Sequence, residues 1–144
     1  MSPGSAPSLS NLTYDELVVD KRQGPFVERV SREMAESLCG AIGQREPTEV
    51  APPGVFPVLF LKALNRSMGG IPANSILAGQ EVAVHRVLPV DTDVSITTWV
   101  GAKEMKRKRP FVTLEFDIRD GDDQPVASGR KVIVWPTGPG EAAA

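Results

Sequence analysis

The second half of this chain alternates. Val82 and Val84, then Val94, Ile96, Thr98 and Val100, then Val112, Leu114, Phe116 and Ile118, and finally Val132 and Val134 form four apolar sets at period two. Side chains two residues apart share one face of a strand, so each set predicts a strand with one face turned inward. The connectors Pro89-Val90-Asp91-Thr92 and Asp120-Gly121-Asp122-Asp123 are turn chemistry, and the second is a hairpin signal. The reading is a meander of four antiparallel strands, with the charged stretch KEMKRKR between the second and third. Such a sheet needs a partner for its apolar face. Residues 58–68 (VLFLKALNRSM) supply one: a helix interrupted by polar side chains only at Lys62, Asn65 and Arg66, and ended by Gly69-Gly70 and Pro72. The fold class is therefore α+β, an antiparallel sheet wrapped around a long central apolar helix. Thr97, Trp99 and Trp135 fall on the outward alternation, which predicts that part of this face pairs with a second copy.

Ahead of this half, residues 26–30 read as a short extended stretch that stops at Ser31, a good helix N-cap. Met34, Leu38 and Ile42 then recur every four residues along a three-turn helix, with Ala35 and Cys39 widening the stripe and Gly43 at its end. From Gly43 to Pro57, four prolines and two glycines predict a shaped loop. Residues 1–11 and 137–144 are rich in Ser, Pro, Gly and Ala and read as flexible tails, leaving 12–136 as one domain.

Composition narrows function mainly by exclusion. Sixteen Lys and Arg against 18 Asp and Glu leave a net charge of -2, so no global field recruits nucleic acid or an anionic membrane. The single Cys39 and single His85 exclude a thiol-clustered or multi-histidine metal site, and no metal is expected. With no run near the length of a membrane span and no targeting pattern at the start, the expected compartment is the cytoplasm.

Several segments, in this order and spacing, resemble the hotdog fold, in particular the MaoC-like hydratase/dehydratase group and the related fatty-acid-synthase-type dehydratase domains. They are the helix followed by AIGQREPTE, then APPGVFP, EVAVHRVLPVDTDV, the hairpin KEMKRKRPFV and the closing RDGDDQPVASGRKVIV. The resemblance implies a homodimer, or a heterodimer with a motif-bearing hotdog subunit, that joins two sheets edge to edge. It also implies an acyl thioester of coenzyme A or acyl carrier protein as substrate, with no further cofactor, and addition of water to an enoyl thioester or its removal from a 3-hydroxyacyl thioester.

The family motif is Gly-Asp-x-Asn-Pro-x-His, whose Asp and His handle the water and the proton. Here Gly43 and Pro47 match, but Gln44 stands at the Asp position, Glu46 at the Asn position and Glu49 at the His position. A glutamine orients water but exchanges no proton near neutral pH. Glu49 has the chemistry Gln44 lacks. On the floor of an apolar tunnel, with a second carboxylate three residues away, one of Glu46 and Glu49 would suit acid–base work near neutrality. Three readings stay open: a hydratase with a rebuilt site, a silent acyl-binding subunit of a heteromeric hydratase, and a thioesterase that activates water with Glu49.

Gly54 either serves the turn or lets a thioester carbonyl approach the start of the central helix. Val55 and Phe56 line the core or the pocket. The cluster of Lys103, Lys106, Arg107, Lys108 and Arg109 is either a solvated hairpin tip or a grip on coenzyme A phosphates or an acidic carrier protein, with Lys106, Arg107 and Arg109 as the substrate-binding residues. His85 is expected mid-strand in a structural hydrogen bond, and Asp91 and Asp93 in a turn.

Overall fold

The computed structural model describes residues 12–41 and 49–136. The expected tails lie outside them, as do Ile42, Gly43, Gln44, Glu46 and Pro47 and the side chain of Cys39. Helix α1 spans Arg32–Ala41. As expected, the Ser31 hydroxyl caps it, accepting the Met34 N–H at 3.0 Å and satisfying a backbone donor that a helix start leaves free. Met34 and Leu38 of the expected stripe pack against the core.

Helix α2 spans Val55–Met68, three residues longer at its start than the sequence suggests. Pro57 is tolerated because it falls in the first turn, where its missing N–H has no helical acceptor anyway. The helix ends at Gly69, whose φ of 75° is left-handed; its N–H returns to Asn65 O and the Gly70 N–H to Leu64 O, both at 3.1 Å.

Five strands follow the order β1-β3-β4-β5-β2 in one antiparallel sheet. They are β1 Gln23–Val30, β2 Ile76–Val84, β3 Thr92–Lys106, β4 Arg109–Arg119 and β5 Pro125–Val134. Two corrections concern topology. The extended stretch before Ser31 is a full edge strand of eight residues paired with β3. The meander holds only for β3, β4 and β5, because β2 pairs with β5 on the far edge. The chain returns from β2 to β3 along a strap that crosses the end of the sheet. His85 and Arg86 N–H both donate to Val126 O, at 2.7 and 3.3 Å, and Asp91 N–H donates to Val30 O at 2.6 Å. Leu88 and Val90 of the strap are buried and close that end of the core.

The inner face presents Val94, Ile96, Thr98 and Val100 of β3 and Val112, Leu114, Phe116 and Ile118 of β4, all buried as their period predicts. Against them α2 buries Val55, Phe56, Leu59, Phe60, Ala63 and Leu64, with the Phe60 and Phe116 rings 4.4 Å apart. Burying a large apolar side chain stabilises by roughly 1.5–3 kcal/mol, so this row drives the wrapping. Lys62 and Arg66 on the outer side of α2 reach Glu28 of β1, at 3.9 and 3.0 Å. The helix therefore lies over the β1 side, while β2 overhangs it with most of its residues exposed on both faces.

In β5 the phase is opposite to expectation. Val132 and Val134 are only half-buried, and the residues turned to the core are Lys131, Ile133 and Trp135. Pairing fixes this: Ile133 stands opposite Val112, and Lys131 opposite Leu114, whose inward direction is settled. Residues 132–135 are apolar in both phases, so alternation alone does not choose. Trp135 is correspondingly buried, not outward, with its Nε1–H donating to Leu12 O at 2.9 Å.

Candidate functional site

The segment leading into α2 is sewn to the strap. Val90 N–H donates to Glu49 O and Ala51 N–H to Leu88 O, both at 2.8 Å, and Val50 bridges Pro89. The Glu49 backbone is thus fixed at one end of the sheet, with its side chain exposed. In this single chain it does not lie on an apolar floor, because nothing among the described residues covers that side. Gln44, expected to orient water, and Glu46, the second candidate acid–base carboxylate, lie outside the described residues.

Gly54 is the N-cap of α2 at φ -64°, a right-handed conformation open to any residue, so the turn itself does not require glycine. A Cβ here would stand 3.1 Å from Leu38 Cδ2 of α1, so that side chain would have to give by a few tenths of an ångström. Of the N–H groups at this helix start, those of Val55 and Phe56 donate to Pro52 O and Pro53 O, at 3.0 and 3.2 Å, and Pro57 has none. The Gly54 N–H is the donor left without a partner among the described residues. Val55 and Phe56 are 0% and 1% exposed and pack in the core.

The basic run is a tight hairpin: β3 and β4 pair to Lys106↔Arg109, leaving Arg107 and Lys108 as the two turn residues, at φ 50° and 66°. The run does not act as one cluster. Lys103 points inward, donating to Leu17 O at 3.0 Å beside the Tyr14 ring, and Lys106 lies near Glu104 and the Phe111 ring. Arg107, Lys108 and Arg109 remain exposed at the tip, with no ion pair among the described residues. The tip and Glu49 sit at opposite ends of β3, whose 15 residues span about 45 Å of strand contour.

Two groups escaped the sequence reading. An open groove of about 620 Å³ crosses the outer sheet face, where Arg22 stacks 3.6 Å from the Trp99 ring centroid and Arg130 pairs with Glu81 at 2.7 Å. His85 lies one residue past β2, not mid-strand, and its Nε2 meets Ser128 Oγ at 2.9 Å, the structural bond expected of it. The second group is Lys131, a charged side chain in the buried phase of β5, whose pKa burial pushes below the ordinary lysine value. No sequence signal marked it, because only the register with β4 turns Lys131 inward.

No family model and no curated protein matches the sequence. Solved structures match over most of their length. The MaoC-like dehydratase from Rhodospirillum rubrum is 19% identical with a TM-score of 0.70, covering 86% of this chain and 97% of that one. R-hydratase PhaJ1 from Pseudomonas aeruginosa is 18% identical with a TM-score of 0.73, covering 90% and 89%. A chain of the HadBC (3R-hydroxyacyl-ACP dehydratase) complex from Mycobacterium tuberculosis is 12% identical with a TM-score of 0.64, covering 76% and 90%. The chain has the hotdog fold of these proteins.

Proposed function

We propose that this protein is a MaoC-like hydratase/dehydratase of acyl thioesters, carried by coenzyme A or acyl carrier protein, working in the cytoplasm as part of a hotdog dimer. The observation that carries the reading is the fold match to a MaoC-like dehydratase and an R-hydratase over most of the chain, combined with a Gly54 N–H that has no partner among the described residues at the start of the buried central helix. A thioester carbonyl seated on that N–H would have its developing enolate charge stabilised by the donor and the positive end of the helix dipole. Glu49, held at the same end of the sheet, is the acid–base group in this reading, with Gln44 as the water-orienting residue and Glu46 as the alternative carboxylate.

A single chain is incomplete for this chemistry. Edge strand β2 exposes Ile76, Leu77 and Val84 by about half, and its outer backbone edge pairs with nothing among the described residues. That edge suits a second hotdog chain. The HadBC complex is a heteromeric precedent for such a partner. The separation of tip from Glu49 also means that Lys106, Arg107 and Arg109 hold coenzyme A phosphates only for a site built on another chain.

Hydration of an enoyl-CoA by the purified protein, with free thiol followed in the same sample, tests the reading. Turnover lost in Glu49→Ala without thiol release is expected. Arg107→Glu/Arg109→Glu should raise the Kd for acyl-CoA by roughly tenfold if phosphate contacts form. Thiol release would make the protein a thioesterase, and acyl-CoA binding with no turnover would make it the silent subunit of a heteromer.

A further inference from the structure

Lys131 is the one charged residue in the buried class among the described residues, 7% exposed on a face that is otherwise apolar apart from Thr98. Its register neighbours on that face are Leu114 of β4 and Gln80 of β2, and its ammonium lies 5.5 Å from the Phe60 ring centroid. No carboxylate or hydrogen-bond acceptor meets it among the described residues. No fully buried side-chain nitrogen there lacks a partner, so the ammonium tip touches water while its stem is covered.

The side on which it reaches water follows from the packing. Phe60 and Leu114 are 1% exposed and close one flank, whereas Gln80 is exposed and Leu77 and Val84, on the same face of β2, are 55% and 47% exposed. The tip therefore opens onto the overhanging inner face of β2. That strip, Leu77, Val82 and Val84 around Gln80, is apolar except for one amide and one ammonium.

We propose that Lys131 is a specificity residue that holds a free carboxylate on the acyl group of a thioester whose chain lies along Leu77, Val82 and Val84. The proposal rests on the acyl-thioester reading above. A carboxylate laid on an apolar strip loses hydration, and an ammonium already partly stripped of water replaces it with little further loss. Gln80 and Lys131 stand side by side in register, offering an amide and an ammonium donor to the two oxygens of one carboxylate. A phosphate, with more charge and more acceptors, is poorly matched by a single cation. A partner subunit's carboxylate is the competing occupant.

The test is binding of two acyl-CoA probes of equal chain length, glutaryl-CoA and pentanoyl-CoA, to the full chain and to Lys131→Met and Lys131→Arg. Calorimetry gives the affinities, and near-ultraviolet circular dichroism checks that each variant is folded. The wild type is expected to prefer glutaryl-CoA by about tenfold or more, the preference to vanish in Lys131→Met, and much of it to return in Lys131→Arg. Equal binding of both probes by the wild type, or a preference that survives in Lys131→Met, overturns the proposal while leaving thioester binding intact. Binding of neither probe overturns the underlying reading and this proposal with it.

Discussion

Truncating Ile133 and Val134 separately tests the phase of β5. Ile133 is 2% exposed and faces Val112, whereas Val134 is half-buried on the outer face opposite Phe111 and Ile76. Ile133→Ala removes three buried carbons, each stabilising by about 0.8 kcal/mol. Incomplete collapse of the resulting cavity brings the expected loss to about 3–4 kcal/mol. Val134→Ala removes two carbons that already contact solvent in part, so its loss should stay below about 1 kcal/mol. Urea unfolding followed by circular dichroism reads the difference, with the slope of the transition unchanged in both variants. In a domain of this size the gap corresponds to a melting temperature lower by roughly 6–12 °C for Ile133→Ala. If Val134→Ala proves equally or more destabilising, Val134 points inward and the assignment of Lys131 to the buried phase falls with it.

Two glycines on the sheet should respond differently to alanine. At Gly129 a Cβ would collide with the Glu81 carbonyl of the paired strand and lie 2.8 Å from Phe116 Cε2, so Gly129→Ala should cost about 1–3 kcal/mol or more. At Gly101 the obstacle is the Glu115 carboxylate, the end of a flexible side chain, so Gly101→Ala should cost well under 1 kcal/mol. A thermal melt of the pair that showed equal losses would contradict the distinction. Asp120, at the β4–β5 turn, accepts N–H from Gln124 and Asp122 and pairs with Arg86, and these contacts hold its pKa below the usual carboxylate value. The stabilisation is then full above about pH 3.9, the unfolded value, and is lost as pH falls through the lower folded one. Comparing urea midpoints of wild type and Asp120→Asn, the difference should be constant above pH 5 and shrink below pH 4; a difference independent of pH would refute the linkage.

Much of the inner face was legible because its physics is local. In β3 and β4 one phase is apolar but for Thr98 and the other mostly polar, so one orientation buries far more apolar surface, and the structure agrees at all eight positions. The Ser31 cap and the Gly69 stop were readable for the same reason: each depends on a few consecutive residues. The start of α2 was misplaced because Pro57 breaks a helix interior but not a first turn, and that position depends on where the helix begins. The candidate site was less legible. Glu49 and Gly54 were found at one end of the sheet, but the separation of Arg107 from them depends on the full length of β3, which the connector's charge had disguised.

The chain's own pattern determined that an apolar helix would be wrapped by an antiparallel sheet, since period-two and helical hydrophobicity each allow one low-energy partner. Tertiary structure alone decided the position of β2, because antiparallel pairing is available at either edge and only the strap bonded to Val126 and Val30 places that strand beside β5. It also decided the direction of Lys131, because four consecutive apolar residues leave two phases equally hydrophobic and the register with β4 breaks the tie. A lysine that reads as an outward, solvated charge in sequence is thereby placed on the inner face, at the margin between the covered core and the open edge strand.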